Sequence, residues 1–260
     1  LVRKDILKLI KQLNLKKKHT ILKEITLTTN GSLLGDYART LKKNGINRIN
    51  VSLDTINENK YKKITRFGNL TKVISSINEA INEGIKVKIN VVAIKDFNEN
   101  EFESLISWAN KLKIDLTFIE IMPLEETDTD RYFQFLALDT VFEKLNSKYN
   151  FYKINKNTGG PSVYYKSDNL SINVGFITPL TQNFCSSCNR VRITSTGKLF
   201  MCLGQNNYVD FRKILRNDYS DEYIKDKIKF ALKIKPKKHD FIIEKNIKPY
   251  MKRHMNVTGG

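Results

Sequence analysis

Three cysteines, Cys185, Cys188 and Cys202, are the only ones in the chain, and their spacing could do chemistry. The first two stand in Phe184-Cys185-Ser186-Ser187-Cys188-Asn189-Arg190-Val191-Arg192, and the third follows fourteen positions after Cys188. Three thiolates are one ligand short of a closed tetrahedral zinc site, but they suffice for a 4Fe-4S cluster that keeps one iron open. The same residues also fit buried or redox thiols, or half of a zinc knuckle completed by His239 or His254. Arg190 and Arg192 alternate on what reads as the start of a strand, which would aim both at one face beside Cys188. Paired guanidinium forks next to a metal suit a polyanion such as a nucleoside triphosphate, whereas a structural zinc site has no need of them.

The elements that must position these groups read as a βα series. Residues 1–15 carry apolar side chains at helical spacing among lysines. Segments 20–29, 46–53, 85–94 and 114–121 are rich in β-branched residues and predict strands, with helices at 34–44, 56–63, 70–83 and 98–112. Strands alternating with helices predict a parallel sheet with right-handed crossovers. Polar groups cluster at the strand ends: Thr28-Thr29-Asn30-Gly31, Ser52-Leu53-Asp54, and Glu120 with Met122. In a barrel those ends build the site; taken singly, Asn30-Gly31 is also a turn and Ser52 or Asp54 a helix cap. Lys86, Lys88 and Asn90 alternate with Val87, Ile89 and Val91. The polar face is either a lumen where Lys88 meets an anion, or the solvated side of an edge strand.

From Pro123 the pattern changes. An acidic stretch through Asp130 reads as a linker, followed by a helix near 138–148, strands at 162–167 and 171–177, the cysteine segment, and helices near 209–216 and 219–233. Gly159-Gly160-Pro161 is turn chemistry, and the Gly259-Gly260 tail reads as disordered or cut from a longer chain, or as a segment able to thread into a site too narrow for side chains. A chain of 260 residues can bury one large core, or a barrel with a smaller domain. Its charge of +18 is mostly scattered lysine, which predicts a solvated surface and no nucleic-acid partner. No apolar run is long enough to span a membrane and no signal peptide opens the chain, so a soluble protein is expected. Three clustered cysteines predict a reducing cytoplasm.

These strings resemble the molybdenum cofactor biosynthesis protein A family, the radical SAM GTP 3',8-cyclases. The carriers are Leu27-Thr28-Thr29-Asn30-Gly31, Ile49-Asn50-Val51-Ser52-Leu53-Asp54, Lys88-Ile89-Asn90-Val91-Val92, Phe118-Ile119-Glu120-Ile121-Met122, the cysteine-arginine segment and the terminal Gly-Gly. The resemblance implies an incomplete TIM-type (βα) radical SAM barrel over 1–125 and an α+β iron-sulfur and GTP-binding domain over 126–260. It implies a 4Fe-4S cluster on Cys185, Cys188 and Cys202 whose open iron binds guanine. GTP contacts are implied at Thr28, Lys88, Arg190, Val191 and Arg192, and S-adenosylmethionine contacts at Ser52 and Met122. A homodimer and the next enzyme of the molybdopterin pathway are the implied protein partners.

Two departures stand out. The CxxxCxxC of the radical-generating cluster and a Gly-Gly-Glu-Pro string are absent, and the chain starts with Leu1 where the latter would end. That predicts a truncated chain, lacking its first barrel strands and producing no 5'-deoxyadenosine alone. Thr117 stands where relatives commonly carry an arginine, which would weaken anion binding unless a lysine substitutes. The alternatives are another radical SAM enzyme with an auxiliary cluster, and a zinc-binding interaction module.

Overall fold

The structure is a computed structural model that describes residues 1–124, 131–245 and Val257. The acidic stretch 125–130, His254 and the terminal Gly-Gly therefore lie outside the described residues.

Helix α1 (Ile6–Lys17) leads into β1 (Thr26–Thr29), α2 (Leu34–Lys43), β2 (Arg48–Ser52), α3 (Glu58–Thr65), α4 (Leu70–Asn82), β3 (Lys86–Ala93), α5 (Phe102–Lys111) and β4 (Asp115–Glu120). After these come α6 (Arg131–Gln134), α7 (Leu138–Tyr149), β5 (Tyr152–Ile154), β6 (Val163–Lys166) and β7 (Val174–Ile177). The sequence then runs through β8 (Arg192–Ile193), β9 (Lys198–Phe200), β10 (Tyr208–Asp210), α8 (Phe211–Arg216) and α9 (Asp221–Lys233). The residues gather in two compact units, one of 1–120 with 136–177, the other of 121–135 with 178–260.

In the first unit a mainly parallel sheet runs β1-β2-β3-β4-β7-β6-β5. The steps from β1 to β7 are parallel, while β6 and β5 run antiparallel. Helices cover the sheet with faces read directly from the apolar spacing: Leu34, Ala38 and Leu41 on α2, Val73, Ile77 and Ala80 on α4, Leu105, Ile106 and Ala109 on α5 are all buried. Asn57 and Asn69 cap α3 and α4 by accepting from the N–H groups of Lys60 and Lys72. Gly31, at φ 80°, brings the end of β1 so close to α4 that a Cβ there would meet Val73 Cγ1 at 2.9 Å.

Two expected boundaries move for visible reasons. The first strand is confined to Thr26–Thr29, because Thr20 turns back to donate to Lys16 O at 2.9 Å and the chain has yet to leave α1. Helix α5 starts at Phe102 rather than 98, because the Asn98 side chain is engaged elsewhere, as described below. Strand β3 lies between β2 and β4, so the edge-strand reading of its lysines is overturned. Residues 136–177 pack with the first unit, although a division at 125 would put them with the second half.

The second unit holds a small antiparallel sheet, β10-β9-β8, and a core of Leu199, Met201, Phe211, Ile214 and Ala231 contributed by β9, α8 and α9. Asp210 and Ser220 cap the two helices through the N–H groups of Lys213 and Tyr223. No helix among the described residues is long and apolar enough to cross a membrane.

Candidate functional site

One face of the large sheet is polar where a buried face need not be. In register, Thr28 pairs with Asn50 and Asn50 with Lys88; Ser52 pairs with Asn90, and Asn90 with Thr117. Residues paired across a ladder, and residues two apart along a strand, share a face. Thr28, Asn50, Ser52, Lys88, Asn90 and Thr117 therefore form one polar field. Lys88 is 8% exposed, and among the described residues it ion-pairs with no carboxylate. Its register neighbour Asp115 is already taken by Lys156 and by the N–H and amide of Asn173.

The Lys88 ammonium donates instead to the phenol oxygen of Tyr164 at 3.3 Å, and Tyr164 itself is 1% exposed. Thr158 Oγ1 lies 3.0 Å from the same phenol oxygen. Burial pushes the Tyr164 hydroxyl up, but the Lys88 charge and the hydrogen bonds it receives outweigh that and leave it below the ordinary tyrosine value. Around this pair, Asn50 Oδ1, Asn90 Oδ1 and Thr117 Oγ1 are buried and find no hydrogen-bond partner among the described residues. Buried polar atoms are normally satisfied, so a cluster of orphans beside a buried cation is a cradle for a polar ligand. Gly175, paired with both Thr117 and Tyr164, leaves the room: a Cβ there would meet Thr117 Oγ1 at 2.7 Å.

The strand ends divide between this field and plain architecture. Thr28 and Ser52 are exposed at the carboxyl ends of their strands. Asn30 makes the expected turn, accepting from Ser32 N at 3.1 Å. Asp54 accepts from Val92 N at 2.8 Å, while Asn98 Nδ2 donates to Asp54 O and Val92 O at 2.7 and 2.8 Å, so the pair ties β2 to β3. Burial pushes the Asp54 carboxyl up to about 6, and the Val92 N–H opposes the rise. Glu120 accepts from Leu138 N at the start of α7. Met122 belongs to the second unit, half-buried.

The cysteine segment lies wholly in the second unit. Cys185–Ser187 form a single 3-10 turn, closed by Cys188 N donating to Cys185 O at 3.1 Å. Residues three apart eclipse in such a turn, which brings the two thiols to one side. Cys202 follows β9, and all three cysteines are free and half-buried. Burial pushes the Cys202 thiol up; the Gly204 N–H and the Lys235 ammonium oppose this, and neighbouring Cys185 and Cys188 add to it. The Lys235 ammonium, 3.9 Å from Cys188 Sγ and 2.8 Å from the carbonyl oxygen of Met201 beside Cys202, links the two arms that carry the thiols.

Among the described residues no three His, Cys, Asp or Glu side chains are gathered tightly enough to grip a single metal ion. A 4Fe-4S cluster asks for a wider spread, because each thiolate bonds a different iron. His239 does not complete a zinc knuckle: Nε2 is 2.8 Å from Pro179 O and Nδ1 accepts from Phe241 N. The donor set, three thiols with the Lys235 ammonium at the Cys188 sulfur and the Gly204 N–H at Cys202, fits a cluster.

Strand alternation holds for Arg192 but not for Arg190. Only Arg192 and Ile193 form β8, and Arg190 sits in the loop before it. Burial lowers the Arg190 guanidinium from its ordinary value, with Cys188 opposing. Val191 between them is 40% exposed. Sequence reasoning missed Tyr164 and Lys235, which meet their partners across 76 and 47 residues, and no local pattern marks either.

Residues 1–109 match the sequence model of the radical SAM superfamily, and residues 114–241 that of Molybdenum Cofactor Synthesis C. The mixed α/β fold, the polar sheet face and the cysteine segment thus define a radical SAM protein of molybdenum cofactor synthesis. The GTP 3',8-cyclases of Brucella ovis, Brucella suis biovar 1 and Brucella abortus strain 2308 are each 49% identical to it over 261 residues, covering all of this chain and 76% of the relative. The chain belongs to the GTP 3',8-cyclase family.

Proposed function

We propose that the chain works in the 3',8-cyclisation of GTP, with Thr28 and Lys88 as GTP contacts of the first unit and Arg190, Val191 and Arg192 as those of the second. Ser52 and Met122 are assigned to S-adenosylmethionine, and Cys185, Cys188 and Cys202 to a 4Fe-4S cluster. The parallel run from β1 to β4 is read as part of a βα barrel wall, and the second unit as the substrate-binding C-terminal region. The observation that carries the reading is the buried Lys88 ammonium, which among the described residues hydrogen-bonds a phenol and has amide and hydroxyl oxygens without partners around it.

When bound, the cluster supplies an open iron position for a base heteroatom, and S-adenosylmethionine supplies the carbon radical. The chain's own residues bind and orient. Lys88 meets negative charge, and Tyr164 fixes where the ammonium points. Asn90 and Thr117 offer buried hydrogen-bonding atoms to a sugar or an amino-acid group. The forked donors of Arg190 and Arg192 match phosphate oxygens. Thr117 carries no charge itself, and Lys88 brings a buried cation to this part of the sheet.

The test is titration of GTP into the 260-residue chain by calorimetry. Charge-assisted contacts are worth roughly 1.5–3 kcal/mol, so Lys88→Met and Arg192→Ala should each weaken GTP about ten- to hundredfold. Affinities equal to wild type in both variants would leave the reading without support.

A further inference from the structure

Lys235 lies just beyond α9 and is neither a proposed cluster ligand nor a proposed substrate contact. Its ammonium has three donors, and all three are used: Arg190 O at 2.7 Å, Met201 O at 2.8 Å and Cys188 Sγ at 3.9 Å. Arg190 lies on the arm that carries Cys185 and Cys188, and Met201 directly precedes Cys202. One half-buried cation thus joins the two arms of the cysteine site and touches a sulfur. A lysine side chain loses considerable rotamer freedom when held in this way, so three simultaneous acceptors mark a built position rather than a passing surface contact.

We propose that Lys235 is a positioning residue for the cysteine triad, clasping its two arms and setting the reduction potential of the cluster they hold. The proposal rests on the reading of Cys185, Cys188 and Cys202 as cluster ligands. A positive charge and an N–H···S contact both favour the more negative, reduced state of an iron-sulfur cluster, so the native lysine raises its potential. The backbone contacts act separately from the charge: they hold the loop before Arg190 against the end of β9, which keeps all three thiols presented together. Potential therefore reports on the charge, and retention of the cluster on the clasp.

The experiment is anaerobic reconstitution of the 260-residue chain and of Lys235→Met and Lys235→Arg. Three measurements follow: iron and sulfide content, an EPR-monitored redox titration, and the rate of iron loss to a chelator. Lys235→Met should titrate at a more negative potential and lose iron about tenfold faster, the worth of a lost charge-assisted contact. Lys235→Arg, which keeps the charge, should stay near wild type in potential. A folded Lys235→Met that takes up no iron also supports the clasp. If Lys235→Met unfolds, as judged by circular dichroism, Lys235→Gln is measured in its place by the same two readouts. A wild-type chain that binds one zinc and no sulfide defeats the assignment of the triad. A wild-type chain that holds a cluster, beside a Met or Gln variant of unchanged potential and unchanged iron loss, defeats the role of Lys235 alone.

Discussion

At the scale of single residues, Lys88 on β3 and Asp54 just past β2 have different histories. Lys88 could be suspected from its alternation with Val87 and Ile89, because a lysine on a strand's inner face must find an anion. The partner that holds it, Tyr164, could not, since a tyrosine on a short β-strand is ordinary packing until the sheet closes on it. Asp54 misleads in the other direction. Its position after Ser52 invites a role in the site, yet the structure spends its carboxylate on the Val92 N–H. Burial raises this carboxyl to about 6, above the usual aspartate value near 4, so the folded chain binds more protons than the unfolded one between those pH values. Its contribution to stability is accordingly greatest below about pH 4 and is lost as pH rises through about 6. Asp54→Asn should remove that dependence and gain up to about 3 kcal/mol on wild type between pH 4 and pH 7.5. Parallel pH-stability curves for the two proteins in urea melts would show that Asp54 is not the group concerned.

At the scale of elements, the helices and central strands were legible because their apolar periods are unbroken, as in Val73, Ile77 and Ala80 of α4. The short strands were not. β5 and β8 have three and two residues, too few for any period to register, and each is held by its antiparallel neighbour, β6 or β9. Arg190 illustrates the cost: alternation promised a face shared with Arg192, but the ladder begins two residues too late to include it. Close approach was equally hidden. Gly175 reads as an interruption in a strand, yet it is what lets Thr117 and Tyr164 meet across β7. Gly175→Ala should destabilise the fold by roughly 1–3 kcal/mol, the usual range for overpacking, and disturb the Lys88–Tyr164 contact. A variant with wild-type stability and wild-type GTP affinity would mean that the neighbours yield freely.

At the scale of the whole molecule, cysteine number limits the inorganic content. Three cysteines can ligate one cluster with an open iron, so reconstitution should give about four irons and four sulfides per chain. Cys202→Ser should lower both, and iron assay with labile-sulfide determination reads it directly. A single tightly held zinc without sulfide would point to the interaction-module alternative instead. The family could be read from the strings around the strand ends and the cysteines, while the arrangement of residues 136–177 could not. Those residues join the first unit because β7 pairs with β4, a pairing that no boundary signal near Pro123 announces.

The knot made by Asn98 also bears on the order in which the protein assembles. Its amide reaches back 44 residues to Asp54, so the contact brackets α3, α4 and β3 entirely. Closing it joins segments distant in sequence, a non-local event that carries a loop-closure cost. The end of β2 beside Ser52 is thus held by a contact far away in sequence, and the geometry there depends on the whole β2–β3 crossover being in place.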